Sequence, residues 1–410
     1  MNRILLWSIL LLAVLGLCNC SQPNQFGDQE VVVFDHEFIQ FKPNDFKDLS
    51  PDTKGTIRLA GGRVLLKKVS VPNFDLTTKV TAKVILASAG DRWDKSGSLF
   101  VLPKEQVTNI LSIAKKEAKF PEAKDKKHST VGAVAGENYK PTVELLRFMT
   151  PFGVGAYSDS VTFRHRKPVY IPHWEKDVRW EEDITQLIST IEGEVWIGVW
   201  VDTWTKEGYV IDVKLQFEES KIVQDVQQQT EVISLVNVVP YVGDIKGASI
   251  FAHNDLKTKF TLPQGAKNVR LYYTTTGHGG HSGGDEFVKQ ENILKVDGES
   301  VFKFTPWRDD CAQFRRFNPG TGVWLIKDTA QYIDWKTWKY KHKVIEERLG
   351  SSDLSRSNWC PGSKVSPVMV PLKDIKAGKH TFAISIPNAQ PVAKGEMNHW
   401  LVAAYIVYDK

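Results

Sequence analysis

The stretch VWIGVWVDTWTKEGYVIDVKLQF, residues 195–217, decides how the rest of the chain is read. Side chains alternate sides along a strand, so Val195, Ile197, Val199 and Val201 share one face while Trp196, Trp200, Asp202 and Trp204 share the other. The first face belongs in a core. The second, three tryptophans and a carboxylate, fits the wall of a sugar-binding cleft, where rings stack on apolar sugar faces and the acid orients hydroxyls or water. Asp202 is therefore the first candidate site residue, although an ordinary sandwich strand with a solvent-facing aspartate would show the same pattern. After a loop at 205–208 the alternation resumes, Tyr209, Ile211, Val213, Leu215 and Phe217 against Val210, Asp212, Lys214 and Gln216, and the pair reads as a β-hairpin.

On its N-terminal side, residues 30–102 consist of short alternating runs separated by turn residues, which is the grammar of an all-β sandwich. One of these strands ends in GDRWDKSG, residues 90–97, a loop holding Asp91, Trp93 and Asp94 that is either functional or a solvated turn with local ion pairs. Between Pro103 and Pro121 the period changes: Val107, Ile110, Leu111, Ala114 and Ala118 predict a helix over 104–120. With the Lys-rich tract behind it, this reads as an insertion at about 104–140, a lid or a solvated arm. The alternation is lost over 218–230, which places a domain boundary there, with an N-terminal unit at 21–222 and a C-terminal unit at 223–410. The second unit returns to strand grammar and carries the loop GHGGHSGGDEF, residues 277–287. Five glycines within eight residues let its backbone approach a ligand, and Glu286 is expected to open the following strand. Residues 302–350 read as irregular, inside an insertion at about 303–359. The expected fold is all-β: two adjacent antiparallel jelly-roll sandwiches with helical and irregular insertions.

Composition narrows the function classes. Thirteen tryptophans favour carbohydrate or peptide surfaces, and a net charge of +5 spread over 410 residues is too small to imply nucleic acid. Residues 1–20 combine a basic start with an apolar run too short to span a membrane, so the protein is expected to be exported to the periplasm or the outer-membrane surface. Cys20 followed by Ser21 resembles the acylated cysteine of a bacterial lipoprotein; a plain secretory signal is the alternative. Removing the signal leaves Cys311 and Cys360, an even pair in an oxidising compartment, and a disulfide between them is expected, worth roughly 4 kcal/mol of unfolded-state entropy. Two cysteines without histidine spacing make no zinc site, and no metal or cofactor is expected.

Five segments in order then carry a resemblance: Asp91-Arg92-Trp93-Asp94, Arg147-Phe148-Met149-Thr150-Pro151, Asp202-Thr203-Trp204, the glycine and histidine loop ending at Glu286, and Trp359-Cys360-Pro361-Gly362. Together they resemble the peptide:N-glycosidase F family, amidases that remove N-linked glycans from asparagine, along nearly the whole mature chain. The resemblance implies two eight-stranded jelly rolls with the site in the cleft between them. It implies that Asp94 is the principal catalytic carboxylate and Glu286 the second acid, and that Asp202 stands where the family more usually has glutamate. Arg356 and Trp359 match substrate-contacting positions, with Asp91, Trp93 and Trp204 in the same group, while His278 replaces a tryptophan. The implied partners are N-glycosylated proteins or glycopeptides, met by a monomer. Two other readings remain: a non-catalytic carbohydrate-binding or adhesion protein, and a copper monooxygenase of paired jelly rolls suggested by His278 and His281.

Overall fold

The computed structural model describes residues 28–72, 78–104, 106–121, 129–136, 138–158, 171, 173–219, 229–243, 245–279, 283–321, 323–393 and 396–410. The leader with Cys20, and His281, lie outside them. The first sandwich has a four-stranded sheet ordered Gln29–Ile39, Tyr209–Glu219, Thr78–Ser88, Val178–Asp183. Facing it is a six-stranded sheet ordered Lys364–Val365, Val143–Met149, Ser96–Val101, Gly193–Val201, Val64–Val71, Thr56–Leu59. The second sandwich pairs Thr230–Asn237, His399–Asp409, Lys267–His278, Val368–Pro371 with Leu256–Leu262, Gly378–Ser385, Asn292–Val296, Glu299–Phe304. The strand pairs within these sheets run antiparallel.

The two strands of residues 195–217 are not a hairpin. Gly193–Val201 pairs with Val64–Val71 and Ser96–Val101, whereas Tyr209–Glu219 pairs with Gln29–Ile39 and Thr78–Ser88 in the opposite sheet. Their inward faces meet across the sandwich: Val195, Ile197, Val199 and Val201 share one buried cluster with Tyr209, Ile211, Val213, Leu215 and Phe217. The alternation reported faces correctly, and a chain crossing between sheets has the same alternation as a chain turning back.

The other face of Gly193–Val201 is buried too. Trp200 is fully enclosed and lies edge-on to Tyr241, in a cluster joining Leu66, Phe100 and Trp200 of the first sandwich to Leu235, Leu256 and Trp400 of the second. Trp196 packs against that cluster. Neither ring lines a cleft, because this sheet face is where the two sandwiches join. Gly198 allows it: a Cβ there would sit 2.3 Å from the Phe100 ring. A polar seam orients the joint, since buried Arg147 donates to Glu144 at 2.8 Å and reaches Thr276 Oγ1 at 3.1 Å and the Leu401 carbonyl at 3.2 Å. A buried ion pair whose Nη1 is bonded across the interface is costly to misregister, because a shifted joint would leave those donors unpaired.

The insertions differ from expectation. The helix is only Ile110–Ala114: the Asn109 side chain caps it by accepting from the Leu111 and Ser112 amides, and Lys116 leaves the right-handed region at φ 63°. Val107 lies ahead of the cap and is 86% exposed. The region read as irregular contains two paired strands, Val323–Asp334 and Lys339–Gly350. The expected disulfide joins Cys311 to Cys360.

Candidate active site

The strand Thr78–Ser88 ends at the loop that carries Asp94, and neighbouring strands pin that loop at each side of it. Tyr209 donates its hydroxyl to the Trp93 carbonyl at 2.6 Å, while Lys95 and Thr150 bond reciprocally, the Lys95 amide to the Thr150 side-chain Oγ1 and the Thr150 amide to the Lys95 carbonyl, both at 2.8 Å. Asp91, expected to contact substrate, is instead fully buried. Its carboxylate accepts from Thr203 Oγ1 at 2.7 Å and from the Trp93 amide at 3.0 Å, so it shapes the loop.

Glu286 arrives from the second sandwich. It does not open a strand, because the next one begins at Asn292; it sits in a turn after Lys267–His278. Gly279 starts that turn at φ 100°, where a Cβ would lie 2.3 Å from the Met397 carbonyl oxygen. The turn is fixed by Asp285, a residue the sequence reading did not single out. Its fully buried carboxylate accepts from Gln290 Nε2 at 3.2 Å, the Gln390 amide at 2.9 Å and Trp400 Nε1 at 3.0 Å. The next carbonyl, that of Glu286, accepts from the Ser357 amide at 2.9 Å.

That last bond ties Glu286 to the segment bearing Arg356, and Arg356 joins the two acids. Its Nε donates to Glu286 Oε1 at 2.8 Å, and its Nη2 lies 3.7 Å from Asp94 Oδ2. The remaining donors reach the Leu354 carbonyl and Ser351 Oγ, and the guanidinium lies over the rings of Phe287 and Trp359. Arg356 is 1% exposed, Asp94 16% and Glu286 17%, so the cation is buried while both acids open onto solvent on one side. Burial pushes the Asp94 carboxyl above its usual range against the pull of Arg356 and Lys95. Burial, with Asp94 adding to it against the pull of Arg356, raises the Glu286 carboxyl to about 7. Two acids on one arginine can hold one proton between them at neutral pH.

Asp202 forms a separate group. Arg63 Nη1 lies 3.2 Å from its Oδ1, and Trp204 Nε1 donates to the same oxygen at 3.1 Å. Burial raises its carboxyl, opposed by Arg63, Lys95 and His399. Asp202 does not share Arg356, but Lys95 acts on both Asp94 and Asp202, which places the two groups within one field. Arg63 lies 4.0 Å from the Trp204 ring centroid, and Trp204 and Trp93 are 58% and 48% exposed, the open aromatic surfaces here. Trp359 and His278, expected to contact substrate, are buried. Trp359 donates to the Gly277 carbonyl at 2.9 Å, and His278 stacks between Trp359 and His399 with its Nε2 2.7 Å from Thr276 Oγ1. Burial, with the neighbouring His399 adding to it, holds His278 well below the usual histidine range, so it is neutral. These rings back the arginine rather than face a ligand. Among the described residues one group of possible metal donors occurs, Asp310 with Cys311 and Cys360, and both of its sulfurs are spent in the disulfide.

Residues 30–217 match the family described as Peptide-N-glycosidase F, N terminal, and residues 247–407 match Peptide-N-glycosidase F, C terminal. Among solved structures the chain is similar to PNGF-II, at 30% identity and TM-scores of 0.76 and 0.77 in two crystal forms, over 93% of this chain. It spans 65% of the PNGF-II chain. The fold is also similar to that of PNGase F, described as a glycosylasparaginase from Flavobacterium meningosepticum, at 14% identity and a TM-score of 0.57, over 94% of this chain and 96% of that one. No curated protein sequence matches the chain.

Proposed function

The chain belongs to the peptide-N-glycosidase F family, and from that premise we propose that it hydrolyses the side-chain amide between asparagine and the innermost N-acetylglucosamine of an N-glycan. The products are aspartate and a glycosylamine. The observation that carries this reading is Arg356, held in common by Asp94 of one sandwich and Glu286 of the other.

An amide is a weak electrophile with a poor leaving group, so hydrolysis needs an activated water, a counter-charge for the tetrahedral oxyanion and a proton for the departing nitrogen. Asp94, with Arg356 and Lys95 drawing against the effect of its burial, takes a proton from the water that adds to the amide carbon. The oxyanion forms beside the buried guanidinium, which needs no reorganisation to meet it. Glu286, with its carboxyl near pKa 7, is still protonated in part at neutral pH and gives its proton to nitrogen as the carbon–nitrogen bond breaks. Trp93 and Trp204 offer the open ring faces for the sugar core, and Asp202 with Arg63 offers a polar edge for its hydroxyls.

Incubation with a denatured glycoprotein tests the proposal. The expected result is glycan loss with asparagine converted to aspartate, abolished in Asp94→Asn while the thermal transition is retained; full glycan release by that variant ends the assignment. A carbohydrate-binding protein would leave the glycan attached, and a glycosidase using two carboxylates would leave an asparagine amide and a free reducing sugar. We also propose that residues 1–20 export the protein and that Cys20 is acylated. Fatty-acid labelling that persists in Cys20→Ala would exclude the acylation.

A further inference from the structure

The arm formed by Val323–Asp334 and Lys339–Gly350 has twelve residues in each strand and, among the described residues, pairs only with itself. At about 3.3 Å per residue it reaches roughly 40 Å. Such an isolated ribbon contributes little to a core, yet its end is firmly built. The Asp334 carboxylate accepts from the Lys336 amide at 3.0 Å, Thr337 Oγ1 at 2.9 Å and Lys341 Nζ at 2.5 Å, and the Trp338 amide donates to the Asp334 carbonyl at 2.7 Å. Trp338 closes the turn at φ 54°, where glycine or asparagine would be the unstrained choice. The strain holds out an indole that is 73% exposed, edge-on at 5.3 Å to Trp335, which is 71% exposed.

The register sorts the flanking residues. Tyr332 lies opposite Lys341, Asp334 opposite Lys339 and Ile333 opposite Tyr340, so Lys339, Lys341 and Lys343 share one face with Tyr332 and Asp334, and Ile333, Tyr340 and Val344 share the other with Gln331 and His342. Residues 331–344 hold four lysines and one aspartate, a surplus of +3 against +5 for the entire chain. Exposed rings at the end of the ribbon with lysines close behind them are what an element dipping end first into a lipid headgroup layer requires: rings at the interface, ammonium groups at the phosphates. A sugar platform would present flat, parallel rings, whereas these two indoles stand at 89°.

We propose that this arm docks, end first, on an anionic lipid surface. The proposal is tested with the exported chain carrying Cys20→Ala, so that no acyl group contributes, mixed with vesicles of phosphatidylcholine alone or with about 30% phosphatidylglycerol. Sedimentation with the anionic vesicles is expected, weakening as salt rises. Trp335→Ala with Trp338→Ala, and separately Lys339→Glu with Lys343→Glu, are each expected to lower binding at least about tenfold, with far-UV dichroism unchanged. Equal binding to neutral vesicles, or wild-type binding by both variants, overturns the proposal. So does a variant that keeps its vesicle binding but changes oligomeric state or loses glycan release from whole glycoproteins alone, because the arm would then serve another chain or the substrate.

Discussion

Two arginines in this molecule each lie against a tryptophan and a carboxylate, and the two settings are otherwise opposite. Arg356 lies over buried Trp359, is 1% exposed and serves Asp94 and Glu286 together. Arg63 lies over open Trp204, is 12% exposed and serves Asp202 alone. Burial raises the acids of both settings, and only in the first does a second acid on the same cation add to it, lifting Glu286 to about 7, the range where protons move at neutral pH. In the proposed reaction the first setting handles the proton transfer and the second holds the sugar.

Removing each arginine tests that contrast most severely. Arg356→Ala strands two enclosed carboxylates and is expected to lower glycan release by at least about a thousandfold and stability by about 3 kcal/mol, read from the denaturant midpoint. Arg63→Ala should cost much less in both, and equal losses would erase the distinction. Glu286→Gln sharpens it. Glu286 moves from 4.5 to about 7 on folding, so the native state binds more protons than the unfolded chain between those values and stability falls as pH rises through that window, by on the order of 3 kcal/mol. Asp94 is shifted in the same sense. The variant should flatten the fall in melting temperature from pH 5 to pH 7 and remove the alkaline limb of the activity profile, which sits near 7 if Glu286 supplies the proton. Trp204→Ala carries the smallest expected effect: a several-fold rise in KM with kcat nearly kept and stability within about 0.5 kcal/mol.

What the sequence could and could not show follows from what leaves a period behind. Burial on one side of a strand does, so the valines from 195 to 201 and the apolar residues from 209 to 217 were legible as inward faces. Pairing partners leave none, so strands in opposite sheets read as a hairpin. Trp200 and Trp204 fall on one face by alternation, yet one is sealed between sandwiches and the other stands in solvent, a difference set by residues such as Tyr241 that are distant along the chain. The arm at 323–350 was not legible as strands because its apolar residues between 331 and 344 are interleaved with lysines and other polar residues rather than spaced to fill a core. Asp285 was invisible because an acid in a glycine-rich loop reads as solvated, and its partners Gln390 and Trp400 lie more than a hundred residues away. The cysteines were legible by counting alone.

The Cys311–Cys360 bridge encloses the entire arm within its 49-residue separation. A protease that clips the chain at Lys336 or Lys339 therefore releases nothing: the two pieces remain covalently linked, with Arg356 still inside the bridged loop. The clipped form should migrate as one band on a gel until a reductant is added, and should keep its hydrolytic rate while losing its grip on vesicles.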